Sequence, residues 1–412
     1  MKQMSTAIRI GERDYRAPKT EGSRTRSAEE TLRLIQPYLA SAGVTRLANV
    51  TGLDRLGVPV VLAIRPAGQT LSTNAGKGMR MAGALVSAAM EAIEVFHAET
   101  VELAERRATW LKIENECSVI EPERLSLKAN CHLRKDWPHD WVYGWDLLNQ
   151  RKIGIPLGMV SLAYSGACYD FRIFQSSSNG LASGNHPLEA ILAGLLELVE
   201  RDAVTWHTLL GENGAPPLIA WDTPPGGALG ELMALLQQKG LRIFLHDYSN
   251  DIGIPVVKAF VADEQLPELG IYHGHAAALS TYDACLKALL EAVQSRAVYI
   301  AGSRDDMPRE VFAKRRDRRS VRALAKRLAN LPSRLLTERD LSTDTLEGDT
   351  NVLLQCLQQK NIRQVVVADL TRPDWPVHVV KVIVPGLEGY LTPQYCAGAL
   401  LAERMRGALC AA

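Results

Sequence analysis

The stretch SAAMEAIE, residues 87–94, decides how this chain is read. It lies within MAGALVSAAMEAIEVFH, where almost every other residue is apolar. At about 100° per residue, positions i, i+4 and i+7 share one helix face. Ser87, Glu91 and Glu94 have that spacing, so a helix over 79–105 carries one polar stripe on an otherwise apolar surface. A helix that is apolar nearly all round is buried on most sides. Buried carboxylates are costly unless cations or hydrogen-bond donors compensate them.

The device recurs. In NHPLEAILAGLLELVERD, Asn185, Glu189, Glu197 and Glu200 fall on a slowly drifting stripe of a second apolar helix, 186–211. In LKALLEAVQSR, Lys287, Glu291 and Gln294 repeat the i, i+4, i+7 spacing on a helix over 281–301. If the three helices converge, they build a carboxylate-rich cleft with Lys287, Arg201 and Arg296 nearby. Hard oxygen ligands at that density suit Mg2+ or Ca2+ better than Zn2+. Mg2+ beside Lys and Arg points to a polyphosphate ligand. The alternative is three structural helices whose glutamates face solvent or pair with arginines.

The bulk properties leave this reading open. The 412 residues are 47% hydrophobic and 23% charged, an ordinary globular balance. The formal net charge of +1 gives no global field for nucleic acid or an anionic membrane. Seven cysteines (117, 131, 168, 285, 356, 396, 410) form no CxxC pair and read as mostly reduced thiols of a cytoplasmic protein. MKQMSTAIRIGERDYR lacks the apolar core of a signal peptide. No unbroken run of about 18 apolar residues is present, so no membrane span is expected.

Away from the three stripes, SAEETLRLIQPYLAS (27–41) reads as a helix with Ser27 as its cap. PVVLAIRP (59–66) and QTLST (69–73) read as strands around a Pro-Ala-Gly turn. WVYGWDLL and GIPLGMVSLAY suggest further strands. GAPPLIAWDTPPGG reads as a divider, so that one domain over 1–412 has lobes of about 1–215 and 226–412. Then come a helix over 227–239, strands RIFLHDY and IPVVKAFVA, a helix near 350–359, strands QVVVADL and VHVVKVIV, and a closing helix from about 393. KRRDRRSVRALAKR (314–327) reads as a basic helix with a solvated face, the alternative being a partner-binding face. The mixture predicts an α/β fold with a large sheet and helices against it.

Other motifs fail. STNAGKG (72–78) is half a phosphate loop: Leu71 and Gly78 stand where GxxxxGK[ST] needs Gly and Ser or Thr. Glu94 and His97 form one ExxH, but Ala203 follows Glu200 where a di-iron bundle needs a second His. His273 and His275 lack further ligands. No GxSxG is present, and Cys168 and Cys285 have no evident His partner, so both read as core thiols.

Several segments together resemble the YcaO family: VTGLDRLGVPV (50–60), Ser87–Glu94, SSNGLASGN (177–185) running into Glu189–Asp202, EAVQSR with GSRDD (291–306), and PGLEGY (385–390). The resemblance spans nearly the whole chain. It implies a mixed α/β fold that binds Mg2+ and ATP without a Walker loop. By position it implies Glu91, Glu94, Glu189, Glu197 and Glu200 as Mg2+ ligands. It implies Ser87, Asn185, Arg201, Lys287 and Glu291 as nucleotide contacts, with Lys19, Gln294 and Arg296 as further phosphate or supporting groups. Two departures stand out: Met90, where members often carry Arg, and Ala193, where some carry a polar residue.

The implied activity is ATP-dependent activation of a peptide backbone amide. The amide oxygen is phosphorylated and leaves as phosphate after a nucleophile attacks the carbon, so no protein nucleophile is needed. NGLASGN, EAVQSRAVYIAGSRDD and PGLEGY are similar to members that work beside a TfuA-type partner, and the chain ends ERMRGALCAA with no proline-rich tail. Thioamide formation in a peptide substrate is therefore the expectation. Azoline formation on Cys, Ser or Thr, and a non-catalytic ATP-binding scaffold, are the alternatives. No leader-binding domain is visible, so a separate delivery partner is expected, and a homodimer is the expected assembly.

Overall fold

The structure is a computed structural model. It describes residues 6–411 except 102–105, 126, 163–172, 175, 212–215, 264, 267–268, 305–309, 311–316 and 390–396. Cys168 and the start of the expected closing helix therefore lie outside the described residues.

The chain opens with strands β1 (Ile8–Ile10) and β2 (Arg13–Tyr15), helix α1 (Ala28–Ile35), and strands β3 (Arg46–Asn49), β4 (Val60–Ile64) and β5 (Thr73–Lys77). Helix α2 (Met81–Glu99) leads to β6 (Arg106–Thr109), the short α3 (Trp110–Glu114), β7 (Ser118–Val119), β8 (Pro138–Asp146), β9 (Arg151–Pro156) and β10 (Leu181–Gly184). Helix α4 (Pro187–Leu210) precedes β11 (Leu218–Ala220), α5 (Gly227–Gln238), β12 (Leu241–Asp247), β13 (Val256–Asp263) and β14 (Ile271–Ala277). Helices α6 (Thr281–Ala301) and α7 (Arg318–Ala329), strand β15 (Ser333–Leu335), α8 (Leu346–Gln359), β16 (Val366–Asp369), β17 (His378–Ile383) and α9 (Ala399–Ala411) complete it.

The α/β class is as the sequence predicts, but among the described residues the strands divide over four sheets. A seven-stranded sheet runs β10-β17-β16-β8-β9-β7, with β6 also on β8. A five-stranded sheet runs β14-β13-β12-β11-β15, a third has β3-β4-β5, and β1 pairs with β2 alone. Each stripe helix lies on a sheet: α2 on β4, β5 and β10, α4 on β10 and β17, α6 on β13, β14 and β5.

Local signals explain the ends. Ser27 caps α1 in a reciprocal pair with Glu30, and Pro37 ends its regular turns. Pro187 occupies the first turn of α4. Ser280 caps α6, and Gly302 closes it in the left-handed conformation. The expected strand over 69–73 starts instead at Thr73, and the half phosphate loop is β5 itself. Its glycine has a packing reason: a Cβ on Gly76 would stand 2.1 Å from the Ala88 backbone nitrogen of α2. Gly274 on β14 does the same for α6, where a Cβ would lie 2.5 Å from both Ala288 O and Ala292 N.

By length and apolar composition alone α2 would suffice to cross a membrane. Here it is a core helix, with Ala84, Ala88, Ala92 and Ile93 fully enclosed. The basic helix begins at Arg318, capped by Asp317, with Arg319, Arg322 and Lys326 exposed.

Gly274→Val should push α6 off β14. Overpacking of this kind costs roughly 1–3 kcal/mol, and urea unfolding should show at least that loss against wild type.

Candidate active site

The three stripes meet. Ser87, Glu91 and Glu94 of α2, Glu197 and Arg201 of α4, and Lys287 of α6 line one cavity of about 1030 Å³. Asn185 joins them from the turn before α4, and Asn74 and Lys77 from β5. The N-terminal segment adds Arg24 and Arg26. Met90 and Ala193 also face this cavity.

The carboxylates are enclosed, and their proton affinities show it. Glu94 accepts hydrogen bonds from the Ser183 nitrogen at 2.8 Å and hydroxyl at 2.6 Å. Burial still pushes its pKa up to about 8, with Glu91 and Glu197 adding repulsion. Burial raises Glu91 to about 7 against the pull of Lys77. Glu197 is raised by burial, opposed by Arg201, and accepts from the Gly180 nitrogen at 3.1 Å. Glu200 is 8% exposed, and burial raises it to about 8. Arg201 stands 3.5 Å from Glu197 and 3.6 Å from Glu200. Burial opposes its charge, but Glu200, Glu197 and Glu291 outweigh that and hold the guanidinium above its usual range. Lys77 pairs with Glu291 at 3.2 Å.

Glu91, Glu94, Glu197, Glu200 and Glu291 thus share the nearby cations Arg201 and Lys77. One oxygen of Glu200 is buried with no hydrogen-bond partner. Among the described residues no three metal-binding side chains converge tightly enough to hold an ion by themselves. That arrangement suits Mg2+, which takes one or two carboxylates and completes its shell with water and substrate phosphates. The donor set therefore fits a Mg2+–polyphosphate ligand.

Not every expected residue reaches the wall. Glu200 and Glu291 sit behind it, connected through Arg201 and Lys77. Glu189 is 1% exposed, and its oxygens accept from the Thr25 nitrogen at 2.6 Å and the Asn185 nitrogen at 2.9 Å. It anchors the segment carrying Arg24 and Arg26. Gln294 donates to the Ala75 carbonyl at 3.0 Å, tying α6 to β5.

Two expectations need correction. Lys19 is not on the cavity: its Nζ is 2.5 Å from Asp349 and donates to the Thr343 carbonyl at 2.6 Å, pinning the N-terminal segment to α8. Arg296 is 1% exposed and lies 2.8 Å from Asp54 and 3.0 Å from Asp263. It locks the DRLG turn to β13. Sequence reasoning missed Arg24, Arg26, Asn74 and Lys77. The first two were visible only as the basic cluster SRTR, and Lys77 as the failed phosphate loop.

Comparison with known proteins agrees with this architecture. The family of YcaO cyclodehydratases, described as binding ATP and Mg2+, matches residues 75–388. The chain belongs to the YcaO family. Its cofactors are ATP and Mg2+, and it is an ATP-dependent peptide-modifying enzyme that activates backbone amides. A protein of Methanothermobacter thermautotrophicus is 33% identical over 365 residues, 87% of this chain and 93% of that protein. A protein encoded in the 3′ region of tfuA in Rhizobium leguminosarum bv. trifolii is 33% identical over 390 residues, 92% of each chain. The YcaO structure from Methanopyrus kandleri bound with AMPPCP and Mg2+ superposes with a TM-score of 0.71 at 27% identity, over 90% of this chain and 94% of that one. A heterocyclase in complex with substrate and cofactor shares the fold, with a TM-score of 0.76 at 22% identity over 91% of this chain and 54% of that chain.

Arg296→Met takes the guanidinium from buried Asp54 and leaves Asp263 with Arg55 alone, at 2.8 Å. Unfolding should show a loss of roughly 3–5 kcal/mol, while the folded variant keeps its Mg2+–ATP affinity in calorimetry.

The raised carboxyls set a pH dependence. Glu91, Glu94 and Glu200 keep their protons in the folded protein at pH values where an ordinary carboxyl of 4.5 has lost them. Ligand-free stability should be full below pH 4.5 for these groups and fall as pH rises toward about 8. Mg2+–ATP binding at pH 7 should then release protons, read as a dependence of calorimetric heat on buffer ionisation enthalpy.

Proposed function

We propose that this YcaO protein forms a thioamide in a ribosomally made peptide or protein, using a sulfur nucleophile and working beside a TfuA-like delivery partner. The observation that carries the reading is the relative encoded next to tfuA, similar over 92% of both chains.

In this reading Glu91, Glu94 and Glu197 would surround Mg2+ from the cavity wall, one or two of them directly and the rest through water, and Glu200 would support them through Arg201. Bound Mg2+ and ATP supply the phosphoryl group and neutralise its developing charge. Ser87, Asn185 and Lys287 orient the nucleotide, and Glu291 keeps Lys77 in place. Arg24 and Arg26 provide the cationic side that Met90 does not. Glu189 acts indirectly, by fixing Asn185 and the segment before α1. The apolar bodies of α2 and α4 exclude water from the rear of the cavity, which strengthens each charge interaction at its front.

Azoline formation is the second reading. It is favoured by the family description, which names cyclodehydratases.

Mass spectrometry of a candidate precursor peptide, co-produced with this protein and a TfuA-like neighbour, separates the two. A gain of about 16 Da marks oxygen replaced by sulfur, and a loss of about 18 Da marks dehydrative cyclisation, both following from loss of the activated amide oxygen. The first is the expected result, and the second would replace it. Glu197→Gln should abolish the stabilisation by Mg2+–ATP, which for wild type at 100 times Kd amounts to about 2.7 kcal/mol. A variant that is stabilised as fully as wild type would remove Glu197 from the site.

A further inference from the structure

A second cavity of about 310 Å³ adjoins the first, and Ser176 and Ser177 line both. Its walls are mostly apolar, from Met159, Phe174, Leu198 and Val384. One amine interrupts them. Lys381 sits on β17 between β10 and β16, opposite Leu181 and Ala368, and is 4% exposed. Its Nζ donates to the Ser177 carbonyl at 2.5 Å. The carboxylate that acts on it is Glu197 of α4. An amine buried in mostly apolar surroundings is costly unless it is closely paired. Nothing in the packing of β17 requires it, since every other buried residue of that strand is Val or Ile.

We propose that this second cavity holds the sulfur nucleophile, and that the Lys381 amine takes its S–H proton. The inference rests on the thioamide reading proposed above. An apolar chamber suits sulfur, which is weakly hydrated, and the loop at Ser176–Ser177 is the boundary across which the two reactants would meet. The charged groups around the amine are Glu197 from α4, and Arg124 and Glu388 on the chamber wall. Burial lowers the Lys381 pKa to about 8, with Glu197 pulling the other way. That leaves the neutral amine basic enough to take a proton from hydrogen sulfide, which is a stronger acid than an alkyl thiol.

The atoms balance with hydrogen sulfide as the named co-reactant. One S–H proton passes to neutral Nζ, and the freed sulfur pair forms the C–S bond at the O-phosphorylated amide carbon. The C–O bond breaks with its electron pair leaving on phosphate, which receives the proton from Lys381. The amide nitrogen keeps its own hydrogen throughout, and the second sulfur proton is released to water as the C=S bond is set.

Cyanate, small enough for the chamber, carbamoylates only neutral amines. On the wild-type protein, peptide mapping should show Lys381 labelled at a rate that rises through pH 8. Sodium hydrosulfide, used as the probe, should slow that labelling. An unlabelled Lys381, or labelling indifferent to hydrosulfide, would overturn the proposal. Lys381→Met should bind Mg2+–ATP as wild type does, yet modify the precursor peptide about 100-fold more slowly or worse. If the variant binds Mg2+–ATP and turns over normally, this inference alone falls. If neither protein adds sulfur to the peptide, the thioamide reading falls first. Should the variant not fold, the cyanate result on wild type decides.

Discussion

The structure depends on burying like charges together. Glu91, Glu94, Glu197 and Glu200 all lie where burial raises their proton affinity. Apolar residues drive α2, α4 and α6 inward, and the glutamates travel with them. Arg201 and Lys77 neutralise only part of the charge. The remainder is a standing demand for a cation, which a Mg2+-bound polyphosphate meets. Stability is thus lower than the same core could provide, and ligand affinity is the return on it.

Close docking makes the convergence possible. Gly76 and Gly274 let α2 and α6 approach their strands at backbone contact. A helix held that near a sheet has little freedom to rotate, so its stripe is aimed rather than merely present. The buried network of Arg296 with Asp54 and Asp263 fixes the far side of α6, and Gln294 ties it to β5. These residues position the site without touching it.

The N-terminal segment is the least local part. Glu189 reaches Thr25 across 164 residues and Lys19 reaches Thr343 across 324. These contacts set Arg24 and Arg26 against the carboxylate wall. On the other side of Glu197, β17 carries Lys381 to the chamber beside it. One helix, α4, therefore faces both cavities, with Glu197 on the first and Leu198 on the second.

The sequence by itself determined the helices and their stripes, because the i, i+4, i+7 pattern is local and an apolar surround leaves a glutamate few roles. It also determined the ligand class, since hard oxygen donors beside cations have few partners. It could not separate residues that share a motif but point different ways. Glu189 and Glu197 look alike in the chain, yet one is spent on Thr25 and Asn185 and the other faces the cavity. Arg201 and Arg296 are both helix arginines, yet the second is enclosed by Asp54 at a separation of 242 residues. Partnerships of that range are set by how sheets and helices stack. Only the tertiary structure decided which charges stand at the wall, and which lone lysine lines the chamber behind it.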